Sequence, residues 1–215
     1  MTKVYVDISM SLDGYVAGPD ADMDNPLGVG GEQLHEWIFV LQTWRKTHGQ
    51  EGGEVNVDDE VVREGLAAQG AVVMGRKMFS GGSGPWEQDA NREGWWGEEP
   101  PFQVPVFVLT HHAREPKPMP GDLDFTFVTD GIEAAVAQAR AAASAKDVLV
   151  AGGADVVQQA INAGLVDELQ VHVAPVLLGS GVRLFENLGA DVKVEPDRVI
   201  ASPNVTHIRY RVVRS

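Results

Sequence analysis

The chain contains no cysteine. That excludes disulfides, thiolate metal sites and cysteine nucleophiles, and with them the zinc-deaminase pattern, whose metal needs a Cys-x-x-Cys pair. Long apolar runs are also missing, and none approaches the roughly 18 residues of a membrane helix. Positive charge is scarce: 17 Lys and Arg stand against 31 Asp and Glu, a formal net charge of −14. Such a surface repels nucleic acid and anionic membrane. Neither the G-x-G-x-x-G dinucleotide fingerprint nor a phosphate loop ending in Gly-Lys-Ser/Thr occurs, so ordinary Rossmann and nucleotide-triphosphatase readings lose support. Residues 1–7 run directly into a strand pattern without a secretory signal. The expectation is a cytoplasmic protein with no metal and neither nucleic-acid nor membrane partners.

What is present is a globular composition, 44% hydrophobic over 215 residues, read as one domain over 1–215. Strand patterns fall at 3–10, 71–74, 105–110, 124–129, 148–151, 168–174, 192–200 and 205–213. Leu34, Trp37, Ile38 and Leu41 recur at helical spacing and predict a helix over 32–47. Further helices are expected at 58–69, capped by Asp58 or Asp59 and ended by Gly70, at 131–144 and at 154–163. Residues 11–31 read as a long loop, and the Trp-bearing stretch after Trp86 reads as a loop or lid reaching Pro101. Pro116, Pro118 and Pro120 are expected to forbid regular structure there, and Ser202-Pro203-Asn204 marks a hairpin turn. Alternation of strand and helix predicts an α/β fold: a mostly parallel central sheet with helices on both faces and an antiparallel C-terminal hairpin.

Two places carry chemistry. Val148-Leu149-Val150-Ala151-Gly152-Gly153-Ala154-Asp155-Val156 reads as a strand that breaks at two glycines and turns at once into a helix. The free N–H groups and dipole of a helix start favour a phosphate, and glycine lets the ligand come close. A second strand–glycine–helix junction lies at Val73-Met74-Gly75-Arg76-Lys77-Met78-Phe79. Together they suggest an extended phosphorylated ligand such as a dinucleotide, although either alone is equally a tight connection. Among the few cations, Arg76 and Lys77 sit on this junction. His111, His112, Arg114 and Lys117 follow the strand ending at Thr110 and read either as an anion site or as solvated loop charge.

In order along the chain, Ser11-Leu12-Asp13-Gly14-Tyr15-Val16-Ala17-Gly18, the Gly75 junction, Val106-Phe107-Val108-Leu109-Thr110, the Gly152-Gly153 junction and residues 164–181 resemble the dihydrofolate reductase-like family. The chain looks closest to the reductase domain of the bifunctional riboflavin-biosynthesis deaminase-reductase and its stand-alone bacterial relatives. The resemblance implies the dihydrofolate reductase-like three-layer fold and NADPH as cofactor. It places Gly75, Arg76, Lys77, Met78, Thr110 and His111 at the adenosine and its 2′-phosphate. Gly152, Gly153, Ala154, Asp155 and Val156 fall at the pyrophosphate, and Ala17 and Gly18 beside the nicotinamide. Arg76 and Lys77 favour NADPH over NADH, because the extra phosphate adds charge.

Folate-reducing members carry a carboxylate near the start of the first helix. Here Gln33 or Leu34 takes that position, with Glu32, His35 and Glu36 as neighbours. Asp13 resembles the acid of the Ser-Leu-Asp-Gly motif and is, with Gln33, the catalytic candidate; its alternative is an Asx turn before Gly14. Trp37 and Trp86 are candidates to stack on a flat substrate, or else core. The expected activity is NADPH-dependent hydride transfer to a small planar heterocycle: a pterin, a pyrimidine or a flavin. The alternative is a repurposed member that binds a nucleotide or drug-like ligand without turnover. A riboflavin-pathway substrate would need a further cationic site, for which Arg183 is a contributor. The apolar stretches 169–173 and 175–178 suit either a homodimer contact or burial in one domain.

Overall fold

The computed structural model describes residues 2–98, 100–189 and 192–213. The elements of the first half are β1 (Val4–Ser11), β2 (Tyr15–Ala17), α1 (Glu36–Phe39), α2 (Gln42–Thr47), α3 (Val57–Ala68), β3 (Gln69–Gly75), α4 (Arg76–Ser80) and β4 (Val106–Leu109). They are followed by β5 (Lys117–Met119), β6 (Leu123–Val128), α5 (Ile132–Ala142), β7 (Asp147–Gly152), α6 (Ala154–Asn162), β8 (Glu168–Ala174), β9 (Val182–Arg183), β10 (Lys193–Ala201) and β11 (Thr206–Val213). Strand pairing runs β10-β11-β8-β1-β7-β3-β4-β6-β5, with β2 and β9 forming a separate pair. The chain divides into two compact units, one holding the start to Val6 with Gln69–Val166, the other Asp7–Ala68 with the chain from Asp167 onward.

In the first unit β1, β7, β3, β4 and β6 pair in parallel, and only the edge strand β5 runs antiparallel to β6. All seven residues of β3 are buried, as expected of a parallel strand covered on both faces. Phe79, Trp86, Val106, Val108 and Phe125 build the core with Val72 and Met74. The three prolines do not exclude a strand: Pro118 lies in β5, opposite Asp124, at the sheet edge where a missing N–H costs no ladder bond. Gly70 is not a helix terminator. It lies inside β3, and a Cβ there would stand 2.3 Å from the Ala143 carbonyl oxygen, so it is a point of close backbone approach.

In the second unit β8, β11 and β10 form an antiparallel ladder, whose turn is organised by the Ser202 hydroxyl accepting from the N–H groups of Asn204 and Val205. The helix expected over 32–47 is interrupted. A 3₁₀ turn (Gly31–Leu34), α1 and α2 replace it, with Leu41 extended at φ −78, ψ 143 between the last two. The returning chain enters the break: Glu54 N–H donates to the Val40 carbonyl and Gln42 N–H to the Glu54 carbonyl. Tertiary hydrogen bonds thus override a continuous helical pattern. The α3 cap is Asn56, whose side-chain oxygen accepts from the N–H groups of Asp58 and Asp59, rather than either aspartate. No helix among the described residues is long and apolar enough to cross a membrane.

Candidate active site

Strands β7, β3 and β4 are parallel neighbours whose carboxyl ends align, Met74 opposite Gly152 and Gly75 opposite Leu109. The two glycine junctions and Thr110 therefore meet at one edge of the first unit, where ligands bind in open α/β sheets. The junctions touch. A Cβ on Gly75 would lie 2.9 Å from Val156 Cγ2 and 3.6 Å from the Gly152 carbonyl oxygen, so only glycine allows α6 to close against the end of β3. Gly152 has φ 125 and its peptide to Gly153 is cis.

The start of α6 is open. Gly153, its N-cap, is extended and supplies no side-chain cap. The N–H groups of Val156 and Val157 take the Gly153 carbonyl. Among the described residues those of Ala154 and Asp155 have no acceptor. Gly153 is exposed, and nothing lies within 4 Å of where its Cβ would be. Two orphan donors, the dipole of a nine-residue helix and a bare glycine surface fit a phosphate oxygen. The Asp155 carboxylate, which accepts from Gln159 Nε2, adds negative charge to the same turn; only its backbone can serve an anion.

The cations divide differently from the expectation. Arg76 is buried, donating to Ser80 Oγ and Asp89, with its guanidinium carbon 3.1 Å from the centre of the Trp86 ring. Burial works against the Asp89 charge, but the Arg76 guanidinium, the Ser80 hydroxyl and the Asn91 N–H hold its pKa below the usual carboxylate range. Arg76 is therefore a core ion pair and is corrected as a phosphate contact. Lys77 is exposed, as is His111. Met78 packs against the core cluster, and the Thr110 hydroxyl is spent on its own turn, accepting from the His112 N–H. Arg114 donates to the Arg92 carbonyl and Lys117 to those of Glu93 and Gly97. These two cations clasp the 92–97 excursion instead of forming an anion site. Clasped in this way, and with Trp96 packed on Phe102 and Phe125, that excursion is not a free lid.

Trp86 is core: it is buried among Phe79 and Phe127, and donates to the His112 carbonyl. With Arg76 and also Arg114 against its ring, it is corrected as a substrate platform. In the second unit Trp37 is likewise buried, donating to Ser9 Oγ and packing on His172 and His207.

Asp13 serves as a loop clip. It accepts from Ser11 Oγ (2.6 Å), Leu178 N–H (3.1 Å) and Gly179 N–H (2.7 Å). The Ser11 hydrogen bond and those backbone donors outweigh desolvation and lower its pKa to about 2. An acid that weak in proton affinity is ionised at neutral pH and cannot supply the proton of a reduction. Arg183 continues the clip, donating to the Asp13 carbonyl and to the Tyr15 hydroxyl. Because the pKa is depressed, the clip is intact above the ordinary value near 3.9 and is lost only as pH falls through about 2. Asp13→Asn is expected to speed hydrogen exchange at the Leu178 and Gly179 amides at neutral pH, read by residue-resolved exchange. Gln33 is exposed on the 3₁₀ turn, its amide donating to the Gly30 carbonyl. Gly18 is a packing glycine, since its Cβ would stand 2.0 Å from the Val29 carbonyl oxygen. Ala17 borders it, with the Cβ position of Gly181 2.1 Å from the Ala17 carbonyl oxygen.

Sequence reasoning missed two groups. Asp89, the partner of Arg76, carries no local signal thirteen residues away. A hydrogen-bonded chain of Asp7, His172, His207 and Asp58, buried except at Asp7, had a faint one: polar residues among the apolar ones of β1, β8 and β11.

Comparison with known proteins agrees with this architecture. The RibD C-terminal domain family matches residues 2–208. Over 44 residues the chain is 52% identical to riboflavin biosynthesis protein RibD of Corynebacterium ammoniagenes, covering 20% of this chain and 13% of that protein. It is 33% identical over 73 residues to the uncharacterized YwjB of Bacillus subtilis (strain 168), covering 34% and 41%. The matches span well under two thirds of either relative's length. Among solved structures, a candidate riboflavin biosynthesis protein from Shewanella sp. PV-4 superimposes with a TM-score of 0.64 at 22% identity, over all of both chains. A deaminase/5-amino-6-(5-phosphoribosylamino)uracil reductase from Thermotoga maritima gives 0.58 at 17% identity, over 99% of this chain and 57% of that one. A pyrimidine reductase-like protein from Corynebacterium diphtheriae gives 0.58 at 14%, over 100% and 93%. These likenesses share the expected α/β fold, and the match along nearly the whole length makes this chain a member of the RibD C-terminal domain family.

Proposed function

We propose that this protein is an NADPH-dependent reductase of a small planar heterocycle, pyrimidine-like in class, acting in the cytoplasm. The observation that carries the reading is the open start of α6 beside Gly75: unpaired N–H groups on Ala154 and Asp155 and a bare Gly153 surface suit the cofactor pyrophosphate. When bound, the dihydronicotinamide would supply the hydride. The protein's part is to hold the diphosphate on backbone donors, with the exposed Lys77 and His111 side chains for the 2′-phosphate. Ala17 and Gly18 are proposed for the nicotinamide from the family resemblance alone.

Lys77→Ala tests the cofactor choice. The expected result is at least about a fivefold weaker NADPH affinity with NADH affinity unchanged, near 1 kcal/mol for an exposed charge pair. Equal losses for both coenzymes would remove Lys77 from the 2′-phosphate.

The second reading, a ligand-binding member without turnover, is favoured by one observation: neither Asp13 nor Gln33 offers an available proton donor. NADPH oxidation assayed with pyrimidine, pterin and flavin substrates separates the two. Coenzyme binding with no oxidation by any of them selects the binder. A homodimer is part of the proposal, but not through residues 169–173. Those lie in β8, flanked by β11 and β1, which leaves exposed residues such as Leu177.

A further inference from the structure

Four ionisable side chains of the second unit form an unbroken hydrogen-bonded row. His172 and His207 sit directly opposite each other on β8 and β11, their Nδ1 atoms 2.6 Å apart. The outer nitrogens reach carboxylates: His172 Nε2 lies 2.6 Å from Asp7 Oδ1 on β1, and His207 Nε2 lies 3.0 Å from Asp58 Oδ1 on α3. Trp37 packs on both imidazoles, 4.9 and 5.1 Å between ring centres. Gln170 Nε2 donates to the other Asp7 oxygen and Ser202 Oγ to the other Asp58 oxygen.

Proton counting constrains this row. Each of its three hydrogen bonds needs one proton, wherever along the row the charge resides. Two neutral imidazoles bring only two, and two imidazolium ions bring four, which would place N–H against N–H at the centre. With both carboxylates ionised at their own ends, the intact row holds three protons and a net charge of −1. The Asp7 side chain is 25% exposed and that of Asp58 is 2% exposed. A relay needs two open ends; this row has one, so it stores a proton.

We propose that Asp7, His172, His207 and Asp58 form a pH-gated clamp that ties β1, β8, β11 and α3 together only while the row holds its third proton. The unfolded histidines titrate near 6.5. Below that value the unfolded chain carries one proton more than the row, so stability falls as pH falls. Above it the unfolded chain carries one fewer, so stability falls as pH rises. Each limb approaches about a tenfold change in the unfolding equilibrium per pH unit. The acid limb agrees with His207 itself. Burial lowers its pKa against the pull of the Asp58 carboxylate, and His172 lowers it further; a depressed histidine stabilises above its ordinary value and loses that as pH falls. Other charged groups face the row. His35, itself lowered by burial, lies in the field of His172. Arg198 and Arg209 share a shallow hollow with His207 and Gln170, but are ion-paired with Glu64 and Asp197.

The test combines denaturant unfolding across pH with NMR of the histidine rings in the intact protein. The expected result is a stability maximum near pH 6.5 that flattens in His207→Phe, because the central bond is gone. Should that variant not fold, the wild-type rings decide: a single exchange-protected, strongly low-field proton must couple to both Nδ1 nitrogens. Two unprotonated Nδ1 atoms, or a wild-type pH profile no different from that of a folded His207→Phe, would overturn the clamp.

Discussion

Gly153→Ala is expected to weaken NADPH binding sharply while leaving the fold intact. The residue has φ −67, within reach of any L-amino acid, and its Cβ would meet nothing within 4 Å. The added methyl would instead occupy the surface against which the diphosphate is proposed to rest, beside the free N–H groups of Ala154 and Asp155. Affinity should fall at least about tenfold, 1.4 kcal/mol or more, with an unchanged denaturation midpoint. Gly75→Ala is the contrasting control, since its methyl meets Val156 at 2.9 Å and must displace protein. Calorimetric titration beside thermal unfolding reads both effects, and an alanine at 153 that binds NADPH normally would remove the pyrophosphate from this turn.

Asp89→Ala should produce the largest loss of stability. It strands the Arg76 guanidinium, buried with 6% exposure against Trp86, and also removes an acceptor from Ser80. Breaking one side of a buried ion pair costs about 3–5 kcal/mol, because the remaining charge stays desolvated. Arg76→Lys is not a mild change either, since an ammonium cannot both fork to Ser80 and Asp89 and lie flat on an indole. In this arrangement Asp89 and Arg76 act on the fold, whereas Lys77 acts on coenzyme choice. Asp89→Ala should therefore lower the denaturant midpoint sharply without altering the NADPH-to-NADH preference of the folded fraction. A shift in that preference would return Arg76 to the phosphate.

The contrast between Arg76 and Lys77 shows what the sequence could reveal. Strand–glycine–helix junctions are local, and β3, β7 and α6 form where their patterns place them. Gly75 and Gly152 are glycines for reasons a sequence can suggest: close approach at one, φ 125 at the other. Which of two adjacent cations faces solvent depends on Asp89, brought back by an excursion without periodicity. Asp13 was legible as an acid in a turn, but its saturation by Leu178 and Gly179 depends on a contact 165 residues away. Trp37 had apolar surroundings written into the helical spacing of its neighbours, and core was its simpler reading; Trp86 follows a glycine-rich loop, which carries no such spacing and left core and stacking equally open. The helix over 32–47 failed because its pattern is intact while its backbone is diverted by Glu54.

The most direct test follows amide resonances of the intact protein during NADPH titration. Saturable shifts concentrated at Gly75, Gly153, Ala154 and Asp155, and absent from the same titration of Gly153→Ala, are expected. An unperturbed set of these amides at coenzyme concentrations that bind elsewhere, or that support turnover, would contradict the placement of the diphosphate at the start of α6.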